Sequence, residues 1–232
     1  MPKRSLALVF AVLGAAACDS TSPAAPTTTT TIPAPVAAPV ALYRLTFEST
    51  WTAASHPSDP PRNPHFSRLI GGTHRSSVSF WEPGGMASEG IRLMAERGRT
   101  IPLDMEVEAA IAAGHAQRLL VGGAIDFSPD SIGLDFEINR EYSLVTIVSM
   151  VAPSPDWFVG VSGLNLIENG DWVALKVVEL QPWDAGTDSG ITFTSADERT
   201  VPPVPIQRID GWPFQVGSSV PPLGTFSFRR LN

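Results

Sequence analysis

Cysteine occurs once in these 232 residues, at Cys18, so no intrachain disulfide can brace the fold. Long apolar runs are missing as well. The one near the amino terminus, Leu6 to Leu13, falls short of the about 20 residues a helix needs to cross a bilayer, and nothing later is long and apolar enough. Basic residues are scarce, with 16 Lys and Arg against 23 Asp and Glu. No basic stripe exists to grip phosphates, which excludes nucleic acid as a partner. The motifs of common hydrolases are also absent: there is no G-x-S-x-G elbow and no H-E-x-x-H, and the lone cysteine is spent near the terminus. The expectation is therefore no enzyme. A carboxylate-dependent glycan hydrolase stays as the alternative, because the separation of two carboxylates cannot be read from sequence.

What is present at the amino terminus has the three parts of an export signal over residues 1–17: basic Lys3 and Arg4, the apolar run, and small residues Gly14 to Ala17. Lipidation of Cys18 would account for a single thiol placed directly after it, and ordinary cleavage leaving a free thiol is the other reading. Ala15-Ala16-Ala17-Cys18 resembles the lipobox of bacterial lipoproteins, with Ala where Leu is usual. That resemblance implies a membrane anchor at Cys18 on the cell envelope or surface. Removing Lys3 and Arg4 with the signal takes the formal charge from −7 to −9. An acidic chain suits a protein that concentrates divalent cations, and equally a solvated surface. Residues 18–41 follow as a Thr/Pro-rich tether, including the run Thr27 to Thr31. Such composition cannot bury enough apolar area to fold, and at about 3.1 Å per residue it would reach roughly 70 Å.

Residues 42–232 are the right size for one domain with a full core. Its texture is β. Leu42 to Phe47 opens a strand, Ile132 to Ile138 alternates apolar and polar, and Tyr142 to Val151 and Trp172 to Leu180 are dense in β-branched and aromatic residues. Ile191 to Phe193 and Thr225 to Phe228 alternate again. Met86 to Glu96 and Leu103 to Ala113 have helical spacing, with Asp104 placed to cap the second helix and Gly114 to end it. The reading is an all-β fold, an antiparallel β-sandwich with one or two short helices.

Asp184 and Asp188 lie four apart in the loop Pro182 to Gly190, where Gly186 and Gly190 let the backbone curl. Asp156 follows Ser154-Pro155 at the end of the strongest strand. If the two strand ends adjoin, the three carboxylates share one sheet edge, and such a cluster needs a cation or protons to relieve its repulsion. Calcium suits these oxygen ligands, whereas zinc would call for His or Cys. The competing reading is ordinary Asp-Gly turn chemistry. His56, His65 and His74, nine apart, read as loop-fixing hydrogen-bond partners rather than zinc ligands, and His115 as a surface or cap residue. Trp51, Trp81, Trp157, Trp172 and Trp183 read as core, with Trp157 or Trp183 able to line a surface beside the aspartates instead of a sugar-stacking platform.

Tyr43 to Trp51, His56-Pro57, Asn63 to Ser67, Leu69 to Gly71 and Thr73-His74 resemble the opening of the spondin N-terminal domain. Ser79 to Trp81, Ala87 to Ile91, Ser154 to Gly160 and the Trp183 to Gly190 loop continue the likeness in the family's order, over nearly all of residues 42–200. The segment Ser162 to Asp171 departs from animal members in lacking their cysteines. The resemblance implies a β-sandwich related to C2 domains, with calcium held by three aspartates in the motifs matching Asp156, Asp184 and Asp188. It also implies an adhesion or ligand-binding module for an extracellular protein or glycan; a structural envelope spacer is the alternative.

Overall fold

A computed structural model describes residues 38–232. The export signal, Cys18 and the tether up to residue 37 lie outside the described residues. In chain order the domain contains β1 (Val40–Ser49), β2 (His65–Phe66), β3 (Ile70–His74), α1 (Glu89–Arg97) and α2 (Leu103–Ala112). Next come β4 (Ala116–Val121), β5 (Ser131–Asn139), β6 (Leu144–Ala152), β7 (Trp157–Asn165), β8 (Ile167–Glu168) and β9 (Asp171–Trp172). The chain ends with β10 (Leu175–Glu179), β11 (Trp183–Asp184), β12 (Gln207–Arg208) and β13 (Gly224–Arg230).

Alternation at period two builds the smaller sheet, ordered β10-β13-β1-β5 and antiparallel throughout. In β1, Ala41, Tyr43, Leu45 and Phe47 point inward and are buried, while Arg44 and Glu48 face solvent. The strand begins at Val40, two residues before the boundary read from the sequence, because Ala41 already packs in the core. Phe47 meets Phe226 of β13 edge to face at 5.1 Å and Phe66 of the opposite sheet at 4.9 Å. These rings join the two layers.

The larger sheet runs β12-β11-β7-β6-β3-β4, with β2 also paired to β6. Here alternation fails for a physical reason: β6 is buried on both faces. Val145, Ile147 and Val151 enter the core between the sheets, while Val148, Met150 and Ala152 pack against α1 through Ile91, Met94 and Ala95. An unbroken apolar run is what a doubly covered strand requires. Close approach also constrains β3, where a Cβ on Gly71 would lie 2.0 Å from the Thr146 carbonyl oxygen.

Ser88 caps α1 by accepting from the Ile91 N–H, and Gly98 ends it at φ 63°. Glu106 of α2 accepts from the Gly90 N–H and the Ser88 hydroxyl, each at 2.7 Å, and so ties the two helices together. Asp104 does not cap α2 as expected. The helix already starts at Leu103, with Pro102 in the cap position, which leaves Asp104 inside the first turn. Three strand expectations are also revised. Tyr142 belongs to a 3-10 turn capped by Asn139, so β6 starts at Leu144. The run Trp172 to Leu180 divides between a two-residue hairpin strand and β10. Ile191 to Phe193 forms a turn, because Ser195 Oγ takes the Ile191 and Thr192 N–H groups that a ladder would need.

Candidate metal centre

The turn Pro153-Ser154-Pro155 closes the β6-to-β7 connection and sets Asp156 just ahead of β7. Ser154 Oγ accepts from the Trp157 N–H at 3.1 Å and fixes that turn. β11 pairs antiparallel with β7, putting Asp184 opposite Trp157 and Trp183 opposite Phe158. The two strand ends therefore adjoin, and Asp184 comes beside Asp156 at one end of the large sheet.

The loop after β11 then folds over Asp156. Asp156 Oδ2 accepts three hydrogen bonds, from the Thr187 N–H at 2.7 Å, the Thr187 hydroxyl at 3.1 Å and the Asp188 N–H at 3.0 Å. Gly186 makes this wrap possible: its φ is +74°, and a Cβ would sit 2.0 Å from the Val204 carbonyl oxygen. Asp184 Oδ1 accepts from the Gly186 N–H at 2.7 Å. Asp188 uses one oxygen for the Gly190 N–H at 2.8 Å and the other for the Glu198 N–H at 3.0 Å. Thr187 escaped the sequence reading. Its signal was a hydroxyl residue between Gly186 and Asp188, a position that aims both its donors at whatever the loop encloses.

Asp156 is fully buried and Asp188 nearly so. Asp156 Oδ1 is buried without a hydrogen-bond partner among the described residues. Burial, with the neighbouring Asp184 charge adding to it, pushes the Asp156 carboxyl up to about 7, against the pull of the Thr187 and Asp188 donors. Burial also raises Asp184, opposed by the Gly186 N–H and the Trp157 indole, while Asp188 adds repulsion. Among the described residues none of the three aspartates forms an ion pair with Lys, Arg or His.

These donors fit a hard cation. Asp156 Oδ1 lacks any partner, and each oxygen of Asp188 keeps a lone pair beyond its one amide. Among the described residues no group of three or more His, Cys, Asp or Glu side chains is arranged to hold a metal ion. Calcium, which completes its six to eight ligands with carbonyls and water, demands less of side chains than zinc does. The histidines are dispersed into separate roles. His56 sits between Ser55 Oγ and the Pro221 carbonyl, and His65, in β2, lies against the Asn63 carbonyl. His74 is in a strand rather than a loop, where it bonds Thr146 Oγ1 at 2.8 Å and the Arg75 carbonyl. His115 is exposed and bonds Ser77 Oγ. Trp51, Trp81, Trp157 and Trp172 are core, whereas Trp183 is partly exposed.

The chain is similar to known proteins over most of the described domain. Spondin-2 of Rattus norvegicus is 35% identical over 210 residues, covering 84% of this chain and 63% of the relative. Spondin-2 of Homo sapiens is 35% identical over 196 residues, covering 83% and 58%. Spondin-1 of Homo sapiens is 38% identical over 173 residues, covering 70% of this chain and 21% of that protein. The chain thus spans less than two thirds of the length of these relatives. The profile of the Spondin_N family matches residues 41–219, and the chain belongs to the spondin N-terminal domain family.

Proposed function

We propose that this protein is exported, anchored to the membrane by lipid on Cys18, and displays its spondin domain as a calcium-organised adhesion or ligand-binding module. One observation carries the calcium reading. Among the described residues no hydrogen-bond donor or basic side chain meets the buried Asp156 Oδ1, which lies next to Asp184. A dry carboxylate without a counter-charge is costly, and a divalent cation relieves it. Asp156, Asp184 and Asp188 would hold the ion, with carbonyls and water completing its shell. Bound there, calcium supplies charge neutralisation that fixes the β11-to-β12 loop against the end of β7. It has no chemical step to perform.

The experiment is a melting curve with calcium or with EDTA, on wild type and Asp184→Asn. A calcium-dependent rise in midpoint that the substitution removes is the expected result; equal midpoints in both media would sink the structural-metal reading. The anchor is tested separately. An alkyne-tagged fatty acid should label the wild-type protein in the producing cell, and Cys18→Ser should abolish the label and release the protein from the membrane fraction. Labelling that survives the substitution rules out Cys18 as the anchor.

A further inference from the structure

Adjacent residues of a strand face opposite ways. While Asp184 turns toward Asp156, Trp183 packs on the other, helix-bearing side of the large sheet, edge-on against Trp81 at 5.3 Å. There it walls a groove of about 810 Å³ together with Pro83, Val204 and Ile206. Gln181 lines this groove and two smaller ones. The first, of about 350 Å³, shares Arg208 with it and adds Asp210, Ser218 and Ser219. The second, of about 290 Å³, adds Trp81, Ser162 and Glu179. Gln181 is common to the walls of all three concavities, which places them side by side around Trp183. The indole N–H of Trp81, a wall of the last of these, is buried without an acceptor among the described residues.

The chemistry of this cleft is selective. A partly exposed indole offers an apolar face, and the polar walls mix donors with acceptors. Arg208 is already paired with Asp210 at 2.5 Å, so no positive excess is left to hold a phosphate or an acidic polymer. Asp210, beyond its pairing with Arg208, and Glu179 only accept hydrogen bonds when ionised, so they suit a ligand that donates; a proline-rich segment, lacking N–H groups, cannot. Gln181, and the N–H groups Arg208 does not spend on Asp210, suit one that accepts. A hydroxyl both donates and accepts, and a sugar ring adds the flat apolar face that stacks on indole.

We propose that this cleft binds a neutral oligosaccharide, with Trp183 as the stacking platform and Gln181 and Arg208 holding hydroxyls on either side. The assignment rests on the ligand-binding reading above and names its ligand class; it places no calcium in the cleft.

The test uses the purified full chain, titrated with cellohexaose, maltoheptaose, mannohexaose and chitohexaose while tryptophan fluorescence and heat are recorded. Decaproline and a sulfated hexasaccharide serve as comparison ligands, and calcium is titrated on the same samples. At least one neutral oligosaccharide should bind saturably, with a blue shift in emission. Trp183→Ala and Gln181→Ala should each weaken it tenfold or more, while Trp183→Phe retains part of the affinity. No saturable binding of a neutral sugar, binding unmoved by both alanine substitutions, or binding of only decaproline or the sulfated sugar would overturn the assignment. Because Gln181→Ala leaves the Trp183–Trp81 packing intact, it decides the matter if Trp183→Ala fails to fold. Retained calcium binding without sugar binding refutes the cleft alone. Sugar binding without calcium binding refutes the metal reading alone.

Discussion

One oxygen of Asp156 receives three donors and the other receives none. This asymmetry makes opposite predictions with and without a cation. In EDTA the carboxyl, pushed up to about 7, holds its proton more tightly when folded than when unfolded. Its contribution to stability is therefore complete at low pH and is lost as pH rises from the ordinary carboxylate range through about 7. Asp156→Asn keeps an oxygen for the three donors and removes the charge. At pH 8 in EDTA the variant should melt no lower than wild type, yet gain nothing from calcium; a lower midpoint in EDTA would contradict this reading of the site. His74 has the opposite sign. Burial lowers it below its ordinary value, against the Arg75 carbonyl, so stability is full above about 6.5 and falls as pH drops below it. The midpoint of wild type minus that of His74→Gln should decline with pH in that window, and a flat difference would remove His74 as the cause.

Elements in this fold are joined by a few contacts that sequence periodicity does not display. Glu106 belongs to α2 but accepts from the first turn of α1. Glu106→Ala should cost about 1–3 kcal/mol, the loss of charge-assisted bonds at a partly buried helix start, measurable by urea unfolding. A cost near zero would mean water replaces it fully. Gly186→Ala should be more damaging, because φ +74° and the Val204 carbonyl leave no space for a methyl group. Its loss of calcium affinity should exceed its loss of stability, since the wrap over Asp156 is what it sets; titration of the variant checks the order.

The strands with one solvent face, β1, β5 and β13, were legible because alternation records their environment. β6 was legible through its apolar density. β11 and β12, two residues each, leave almost no periodic signal, although β11 places Asp184. The turn at Ile191 to Phe193 was misread as a strand because Phe193 is buried from a turn, and burial alone mimics alternation. The adjoining ends of β7 and β11, which bring Asp184 beside Asp156, were readable from the Gly and Pro positions and the family likeness; the partners of Asp156 were not, since those depend on a loop crossing back over β7.

At the scale of the molecule, two sheets enclose one core and the helices cover the outer face of the larger sheet, so both faces of β6 are buried. The chemistry is left at one end, where the β6-to-β7 turn and the β11-to-β12 loop meet. Calorimetric titration of the purified protein with calcium decides whether that end is organised by metal. The expected result is a single saturable site that is lost in Asp156→Asn, Asp184→Asn and Asp188→Asn, each with wild-type folding in EDTA. Absence of binding heat, or binding that persists in all three variants, would contradict it.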